Sequence, residues 1–159
     1  MPAASKPHVT IYTDGGAVPN PGSAGYGVVL LCGRHRKELS GGFEVSTNNR
    51  MELLAVIVGL EALKRPCRVT VYSDSRYVVD AIGKQWALKW QKNDWWRNKH
   101  ERARNIDLWR RFLRVSRKHE LTMMWVKGHA GHPENERCDY LASRAQKAAN
   151  RDVDPGFRP

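Results

Sequence analysis

Two short segments of the chain have nearly the same sequence and carry an aspartate at the same point. They are Thr10–Gly15 (TIYTDG) and Thr70–Ser75 (TVYSDS), and both alternate β-branched and aromatic residues as strands do. Side chains on a strand alternate between its two faces, so Asp14 and Asp74 occupy the same phase of their strands. If these strands are parallel neighbours, the two carboxylates lie side by side where the strands end.

Two carboxylates held so close require a proton or a cation between them. At a separation of about 4 Å their repulsion is about 4 kcal/mol for an effective dielectric constant near 20. Each residue also has a purely structural interpretation, because Asp14-Gly15 suits a turn and Asp74-Ser75 suits a helix N-cap. The matched phase of the pair favours a functional site.

Two further acids could join this pair. Glu52 lies in the first turn of an apolar helix, where a glutamate also suits the helix dipole. Asp139 lies in the second turn of the last helix, where an ordinary solvated position is the alternative. Because ligands of open α/β sheets gather beyond the carboxyl ends of the strands, all four acids could meet there. Such oxygen ligands suit Mg²⁺ or Mn²⁺, and carboxylates that bridge two such ions serve in-line phosphoryl chemistry.

The elements that must position these acids follow from hydropathy patterns and turn residues. A Gly- and Pro-rich loop, Gly15–Gly25, separates the first two of three strands that suggest an antiparallel meander. A buried helix, capped by Asn48 or Asn49, then provides the connection that a parallel strand pair requires. The predicted strands are Val9–Thr13, Tyr26–Cys32, Arg36–Val45, Arg68–Ser73 and Leu121–Val126, and the predicted helices are Met51–Leu63, Ser75–Ile82, Asp107–Lys118 and Pro133 to about Ala149.

Composition and charge narrow the class of protein. The 159 residues suit a single domain over 1–159, with a core of about 8–148, a short N-terminal extension and a frayed tail after Asn150. The net charge of +11 favours a nucleic acid partner, although solubility alone is the alternative. The three cysteines are far apart and read as free thiols in a reducing compartment. We expect a cytoplasmic protein, monomeric by default, with no membrane association and no obligate protein partner.

The segment Lys84–Asn105 is unusual because it contains four of the six tryptophans and is rich in Lys and Arg. Trp86 and Trp90 are one helical turn apart and share a face. Aromatic faces flanked by cations such as Lys89 and Lys92 suit a groove that follows a nucleic acid backbone. The alternative is that these tryptophans pack the segment onto the core.

Four sequence motifs follow one another along the chain. They are YTDG at 12–15 with NPG at 20–22, TNNRMEL at 47–53, YSDS at 72–75 and the highly specific WVKGHAGHPENERCD at 125–139. Together these motifs resemble bacterial ribonuclease HI, in the correct order, over roughly His8–Ala148. The resemblance implies a ribonuclease H-like α/β fold with a five-stranded mixed sheet, strand order 3-2-1-4-5, and helices on both faces. It implies endonucleolytic hydrolysis of the RNA strand of RNA–DNA hybrids.

The resemblance also assigns roles to individual residues. Asp14, Glu52, Asp74 and Asp139 are implied to bind two Mg²⁺ ions, for which Mn²⁺ can substitute, and His129 to assist in proton transfer or product release. The products would carry a 5′-phosphate and a 3′-hydroxyl. The chain has Lys89 where the family often has an asparagine that binds phosphate. The residues implied to bind the hybrid are Asn20, Thr47, Asn48, Asn49, Arg50, Trp86, Lys89, Trp90 and Lys92.

Two alternatives remain open from the sequence. Another nuclease or integrase of the same fold is disfavoured by the free-standing length and the tryptophan-rich segment. A non-catalytic protein that binds hybrids is disfavoured by the complete acidic set, because clustered negative charge facing phosphates does not help a pure binder.

Overall fold

The computed structural model describes residues 6–128 and 130–158, which form an α/β fold around a five-stranded mixed sheet. The strand order is β3-β2-β1-β4-β5, so the order implied by the resemblance is confirmed. The β1–β2 and β2–β3 pairs are antiparallel, and the β1–β4 and β4–β5 pairs are parallel. The elements are β1 (His8–Val18), β2 (Gly22–Cys32), β3 (His35–Ser46), α1 (Asn48–Glu61), β4 (Arg68–Ser73), α2 (Arg76–Gly83), α3 (Trp86–Lys92), α4 (Ile106–Ser116), β5 (Glu120–Trp125) and α5 (Pro133–Gln146).

Helices α1 and α5 cover opposite faces of the sheet. Gly59 of α1 lies against Ile11 and Val28, whereas a Cβ at the adjacent Gly27 would collide with the backbone carbonyl of Cys138 in α5. Because neighbouring residues of a strand point to opposite faces, these contacts place α1 on one side and α5 on the other. Among the helices of the described residues, none combines the length and apolar character needed to span a bilayer.

The segment predicted as a loop, Gly15–Gly25, is mostly strand. β1 continues to Val18 and β2 begins at Gly22, so only a tight turn separates them. The glycines serve close packing rather than a flexible loop. A Cβ at Gly15 would lie 2.5 Å from the carbonyl carbon of Met51 and 2.8 Å from the amide nitrogen of Glu52. Glycine at this position therefore lets the first turn of α1 approach β1.

The tail expected to be frayed is instead bonded to the edge of the sheet. The amide of Asp152 donates to the carbonyl of Gly42 (2.9 Å), and its carbonyl accepts from the amide of Glu44 (2.8 Å). Asp154 is only 8% exposed and accepts hydrogen bonds from Ser46 and Arg50. The prediction failed because the partners of the tail lie about a hundred residues away in sequence, where local polarity gives no sign of them.

Candidate active site

The parallel pairing of β1 with β4 brings Asp14 and Asp74 together. Tyr12 is opposite Tyr72 in the register, and the two rings stack with centroids 5.0 Å apart and planes 13° from parallel. The predicted pairing and phase of the two strands are therefore confirmed. Each of Asp14, Glu52 and Asp74 offers one carboxylate oxygen within 4.8 Å of the others.

Glu52 joins this cluster from the second turn of α1, not from the first turn as predicted, because the helix begins at Asn48 rather than at Met51. Thr47 is the N-cap, since its hydroxyl oxygen accepts a hydrogen bond from the amide of Arg50 (3.2 Å). The predicted caps, Asn48 and Asn49, lie one and two residues further on. Burial, followed by the charges of Asp14 and Asp74, raises the pKa of Glu52 well above its ordinary value. Its Oε2 is buried and has no hydrogen-bond partner among the described residues. A bound cation would supply the partner that this oxygen lacks.

Asp139 completes the acidic set. A cavity of about 400 Å³ is lined by Asp14, Glu52, Asp74 and Asp139 among other residues, and Asp139 lies outside the group of three acids whose carboxylate oxygens are within 4.8 Å of one another. Burial, together with the neighbouring Asp74 and Asp139, raises the pKa of Asp14 to about 7. Carboxylate oxygens grouped in this way fit hard divalent cations such as Mg²⁺ or Mn²⁺. All four acids named from the sequence therefore line one cavity.

Three residues around Asp74 were not identified from the sequence. The indole N–H of Trp125 donates to the backbone carbonyl of Asp74 (3.2 Å), and the guanidinium of Arg76 lies 3.8 Å from the centre of the Trp125 ring. A Cβ at Gly128 would lie 2.8 Å from Oδ2 of Asp74, so the loop after β5 closely approaches this carboxylate. The WVKG motif contained the signal, but a motif does not reveal which atoms it contacts. His129 lies outside the described residues.

The amides predicted to bind substrate lie beside the carboxylates. The side-chain oxygen of Asn48 accepts from the amide of Ala17 (2.7 Å), and the amide of Asn48 donates to the side-chain oxygen of Asn20 (3.0 Å). Thr47 caps α1, and Asn49 is exposed in the first turn. Asn48 and Asn49 line the acidic cavity, and Asn20 and Thr47 lie with them in an adjoining cleft.

The side chain of Arg50, a residue predicted to bind the hybrid, lies in a buried cluster of ion pairs. The side chain is 4% exposed and lies between two acids. It donates to Asp107 at 2.8 and 2.7 Å and to Asp154 at 2.7 and 3.0 Å. A further bond reaches the side chain of Asn105 (3.4 Å). A guanidinium occupied in this way has no donor left for a phosphate.

Part of the tryptophan-rich segment lines a groove and part of it packs onto the core, so both predicted roles occur. A groove of about 560 Å³ is lined by Trp86, Lys89 and Trp90 together with Asn93, Trp96 and Arg97, and Lys92 is exposed in the last turn of the same helix. In contrast, Trp95 is 4% exposed and belongs to the core. Trp90 does both, because its ring also packs edge-on against Trp109 with centroids 6.0 Å apart.

Comparisons with known proteins agree with this geometry. The family model described as RNase H matches residues 6–147. The Ribonuclease H of Desulforamulus reducens is 60% identical over 146 residues, covering 92% of this chain and 92% of that protein. The Ribonuclease H of Syntrophus aciditrophicus is 58% identical over 149 residues, covering 94% and 86%.

Two solved structures also resemble the fold. The crystal structure of LC9-RNase H1, a type 1 RNase H with the type 2 active-site motif, has a TM-score of 0.80 and 30% identity, and the match covers 98% of this chain and 81% of that one. LC11-RNase H1 in complex with an RNA/DNA hybrid has a TM-score of 0.66 and 25% identity, with 86% and 95% covered.

Proposed function

The chain belongs to the ribonuclease H family, and we propose that Asp14, Glu52, Asp74 and Asp139 carry out its hydrolysis of the RNA strand of RNA–DNA hybrids. The observation that supports this assignment is the cavity lined by all four acids. The unpartnered Oε2 of Glu52 supports a cation there. A protein that only binds hybrids would have no use for this concentration of negative charge.

Each carboxylate has a distinct place in the proposed chemistry. Asp14 and Asp139 would hold one Mg²⁺, and Asp14, Glu52 and Asp74 a second, with Mn²⁺ as a substitute. Ions held by these carboxylates would supply the chemistry of a two-metal site, lowering the pKa of an attacking water and stabilising negative charge on the leaving 3′-oxygen. Asp14 would be the shared ligand because it lies on β1, the central strand of the sheet. Cation binding would favour the ionised form of Glu52, because metal ligands bind deprotonated and the raised pKa of Glu52 describes the metal-free site.

Recognition of the RNA strand falls to the amides at the rim of the cavity. A protein distinguishes RNA from DNA through the 2′-hydroxyl. Asn48 and Asn49 provide neutral donors and acceptors beside the carboxylates, and Asn20 is bonded to Asn48 in the adjoining cleft. Asn48 and Asn20 are fixed by hydrogen bonds to the backbone, which orients their remaining polar atoms. His129 in the loop after β5 would assist proton transfer or product release. We place the enzyme in the cytoplasm.

The substrate assignment is tested by cleavage in Mg²⁺ of five substrates: an RNA–DNA hybrid, an RNA duplex, a DNA duplex and the two single strands. We expect internal cuts in the RNA of the hybrid alone, with 5′-phosphate and 3′-hydroxyl ends, and none in EDTA. Comparable cutting of duplex DNA would favour another nuclease of the same fold. Binding of the hybrid without cleavage in Mg²⁺ or Mn²⁺ would favour the non-catalytic alternative.

The basic groove of the tryptophan-rich segment makes a separate prediction. Replacing Lys89 and Lys92 with alanine should weaken hybrid binding and reduce the slope of log K against log salt by roughly 0.9 for each phosphate that the protein no longer neutralises. Turnover at saturating hybrid should change little, because neither lysine lines the acidic cavity. Fluorescence anisotropy over a salt series, together with steady-state kinetics, measures both quantities.

The matched control replaces Arg34 and Lys37 with alanine. Both residues are exposed near the β2–β3 turn, which lies at the opposite end of the strands from Asp14. It removes the same charge and should leave the salt slope unchanged. Equal slopes for the two double variants and the wild type would show that Lys89 and Lys92 bind no phosphate.

A further inference from the structure

Helix α4 carries a row of cations on its outer face. Its inner face, which includes Trp109 and Phe112, is buried in the core. Each cation is exposed and lies three or four residues from another, so the row follows one side of the helix and the turn at its C-terminal end. The cations are Arg110, Arg114, Arg117 and Lys118, here called the α4 strip.

The charge of the α4 strip is uncompensated within the part of the chain that the structure describes. None of its four cations forms a salt bridge there. The guanidinium of Arg110 lies 5.4 Å from the centre of the Trp95 ring, which holds the side chain in place but leaves its charge. The acids on and beside α4 already have other partners, which are Arg50 for Asp107, Arg111 for Glu61 and Lys6 for Glu120.

Local helix energetics account for only part of this arrangement. A cation near the C-terminal end of a helix is favoured by the helix dipole, which suits Arg114 and Arg117. Arg110 lies in the middle of the helix, and like charges four residues apart destabilise a helix. A polyanion bound along the α4 strip would remove this repulsion.

The surface of α4 favours phosphates over a protein or a membrane as the partner. The core of a protein interface is enriched in aromatic residues and depleted of charge, and binding to a membrane surface requires buried apolar area. None of the exposed large apolar side chains in residues 6–128 and 130–158 belongs to α4 or to the turn that follows it. Arginine forks, in contrast, match phosphate oxygens. A phosphodiester backbone is therefore the polyanion that this surface fits.

The α4 strip leads away from the acidic cavity. Asp107, at the beginning of α4, lines the cleft that adjoins the cavity. At the other end, Lys118 comes two residues before Glu120, which is opposite Arg68 at the start of β4. Because Arg68 precedes Asp74 by six residues of extended chain, this end of the strip lies roughly 20 Å along the strands from the carboxylates. A nucleic acid segment that contacts the whole strip is therefore different from the segment in the cavity.

We propose that the α4 strip binds the backbone of a single-stranded extension of the hybrid. A duplex is stiff over this distance, since the persistence length of DNA is about 150 base pairs. A single strand can turn from the cavity, pass the cleft and follow α4. Contacts to phosphates carry no sequence information, so the sequence of the extension should not matter. The inference rests on the proposed function, because it takes the hybrid to occupy the acidic cavity.

The test compares three ligands of the full chain by fluorescence anisotropy over a salt series, in EDTA so that no cutting occurs. They are a blunt hybrid and the same hybrid with an oligo(dT) extension, long enough to span the α4 strip, at the 5′ or the 3′ end of its DNA strand. We expect one extension to tighten binding and to increase the slope of log K against log salt by roughly 0.7 for each phosphate contacted.

The strip variant combines Arg114→Gln, Arg117→Gln and Lys118→Gln, because glutamine has a similar helix propensity. It should lose about 2 of the added slope, at roughly 0.7 for each cation, and bind the blunt hybrid as the wild type does. Arg114→Lys with Arg117→Lys keeps the charge and should retain the effect of the extension. The charge-matched control, Arg34→Gln with Lys37→Gln and Lys147→Gln, alters exposed residues outside α4 and should also retain it.

Thermal melts in the same buffer establish that each variant is folded. Equal binding of blunt and extended hybrids by the wild type overturns the proposal, as does an effect of the extension that survives in the strip variant or is lost equally in the control. Tighter binding of a polyglutamate peptide than of an oligo(dT) strand of equal charge, lost in the strip variant, would assign the strip to an acidic protein instead.

Cleavage of the blunt hybrid by the wild type in Mg²⁺ is measured alongside and separates two kinds of failure. If the wild type cuts the blunt hybrid but the extension has no effect, the proposed function stands and the α4 strip alone is excluded. If the wild type binds the blunt hybrid without cutting it, the proposed function fails, whatever the extension does.

Discussion

Asp14→Asn is expected to abolish hybrid cleavage and yet, in EDTA, to melt at a higher temperature than the wild type. The side chain changes little in shape but loses the charge that lies closest to the other acids. Burial and the neighbouring Asp74 and Asp139 raise the pKa of Asp14 to about 7, so the metal-free native state is penalised when Asp14 ionises. Relief of such a cost commonly stabilises by about 0.5–2 kcal/mol, which is a few degrees for a chain of this length.

The higher melting temperature expected for Asp14→Asn in EDTA should depend on pH, because the pKa of Asp14 is raised in the native state. The native state retains a proton on Asp14 that the unfolded chain releases near pH 4. The ionisation of Asp14 therefore lowers the stability of the wild type as the pH rises from about 4 to 7, and above pH 7 this penalty is constant. Asp14→Asn has no such penalty. We therefore expect the advantage of Asp14→Asn in EDTA to be small at pH 5 and full at pH 8.

Added Mg²⁺ should raise the melting temperature of the wild type more than that of the mutant, because only the wild type has the shared ligand. Calorimetry of both proteins at pH 5 and pH 8, in EDTA and in Mg²⁺, measures the difference in melting temperature between mutant and wild type under each of these four conditions. Asp152→Asn is a suitable control, since it removes a charge from an exposed residue outside the acidic cavity. A mutant that melts below the wild type in EDTA would show that Asp14 is held by hydrogen bonds rather than crowded by like charges.

The arrangement of the acids was accessible from the sequence because it follows from local periodicity and one topological rule. Two strands in the same phase, joined through a helix, place Asp14 beside Asp74 when the strands pair in parallel. The position of Glu52 near the start of a buried helix and the motif that contains Asp139 identified the other two acids. Each step needed only a short stretch of chain, and the observed register of β1 with β4 agrees with it.

The features that sequence reasoning missed depend on partners far along the chain. Gly15 suggested a loop, but the glycine is needed because the backbone of Met51 lies against it. The polar tail suggested fraying, but Asp154 is bonded to a buried guanidinium 104 residues earlier. Arg50 was predicted among the residues that bind the hybrid, and its place in the TNNRMEL motif gave no sign that Asp107 and Asp154 occupy its guanidinium.

Arg50→Ala is expected to lower the free energy of unfolding by about 3–5 kcal/mol at pH 7, the usual cost of removing one partner from a buried ion pair. The effect is large because Arg50 and Asp154 have side chains only 4% and 6% exposed, so the substitution leaves a buried carboxylate without its cation. The Arg50 hydrogen bonds hold the pKa of Asp107 below its ordinary value. Burial alone would raise the pKa of Asp154, but its bonds to Arg50 and Ser46 outweigh burial and lower it.

Because both acids have lowered pKa values in the native state, the stability they contribute is present above pH 4 and is lost as the pH falls through the native values. The deficit of Arg50→Ala measured by urea unfolding should therefore shrink between pH 5 and pH 2.5. Asp154→Asn in the Arg50→Ala background should recover part of the loss, since it removes the uncompensated charge. The control is Arg111→Ala, which breaks a bidentate pair with Glu61 whose side chains are 39% and 37% exposed and should cost at most about 1 kcal/mol. A deficit for Arg50→Ala no larger than that of the control, or one that does not change with pH, would show that the buried cluster contributes no more than a surface ion pair.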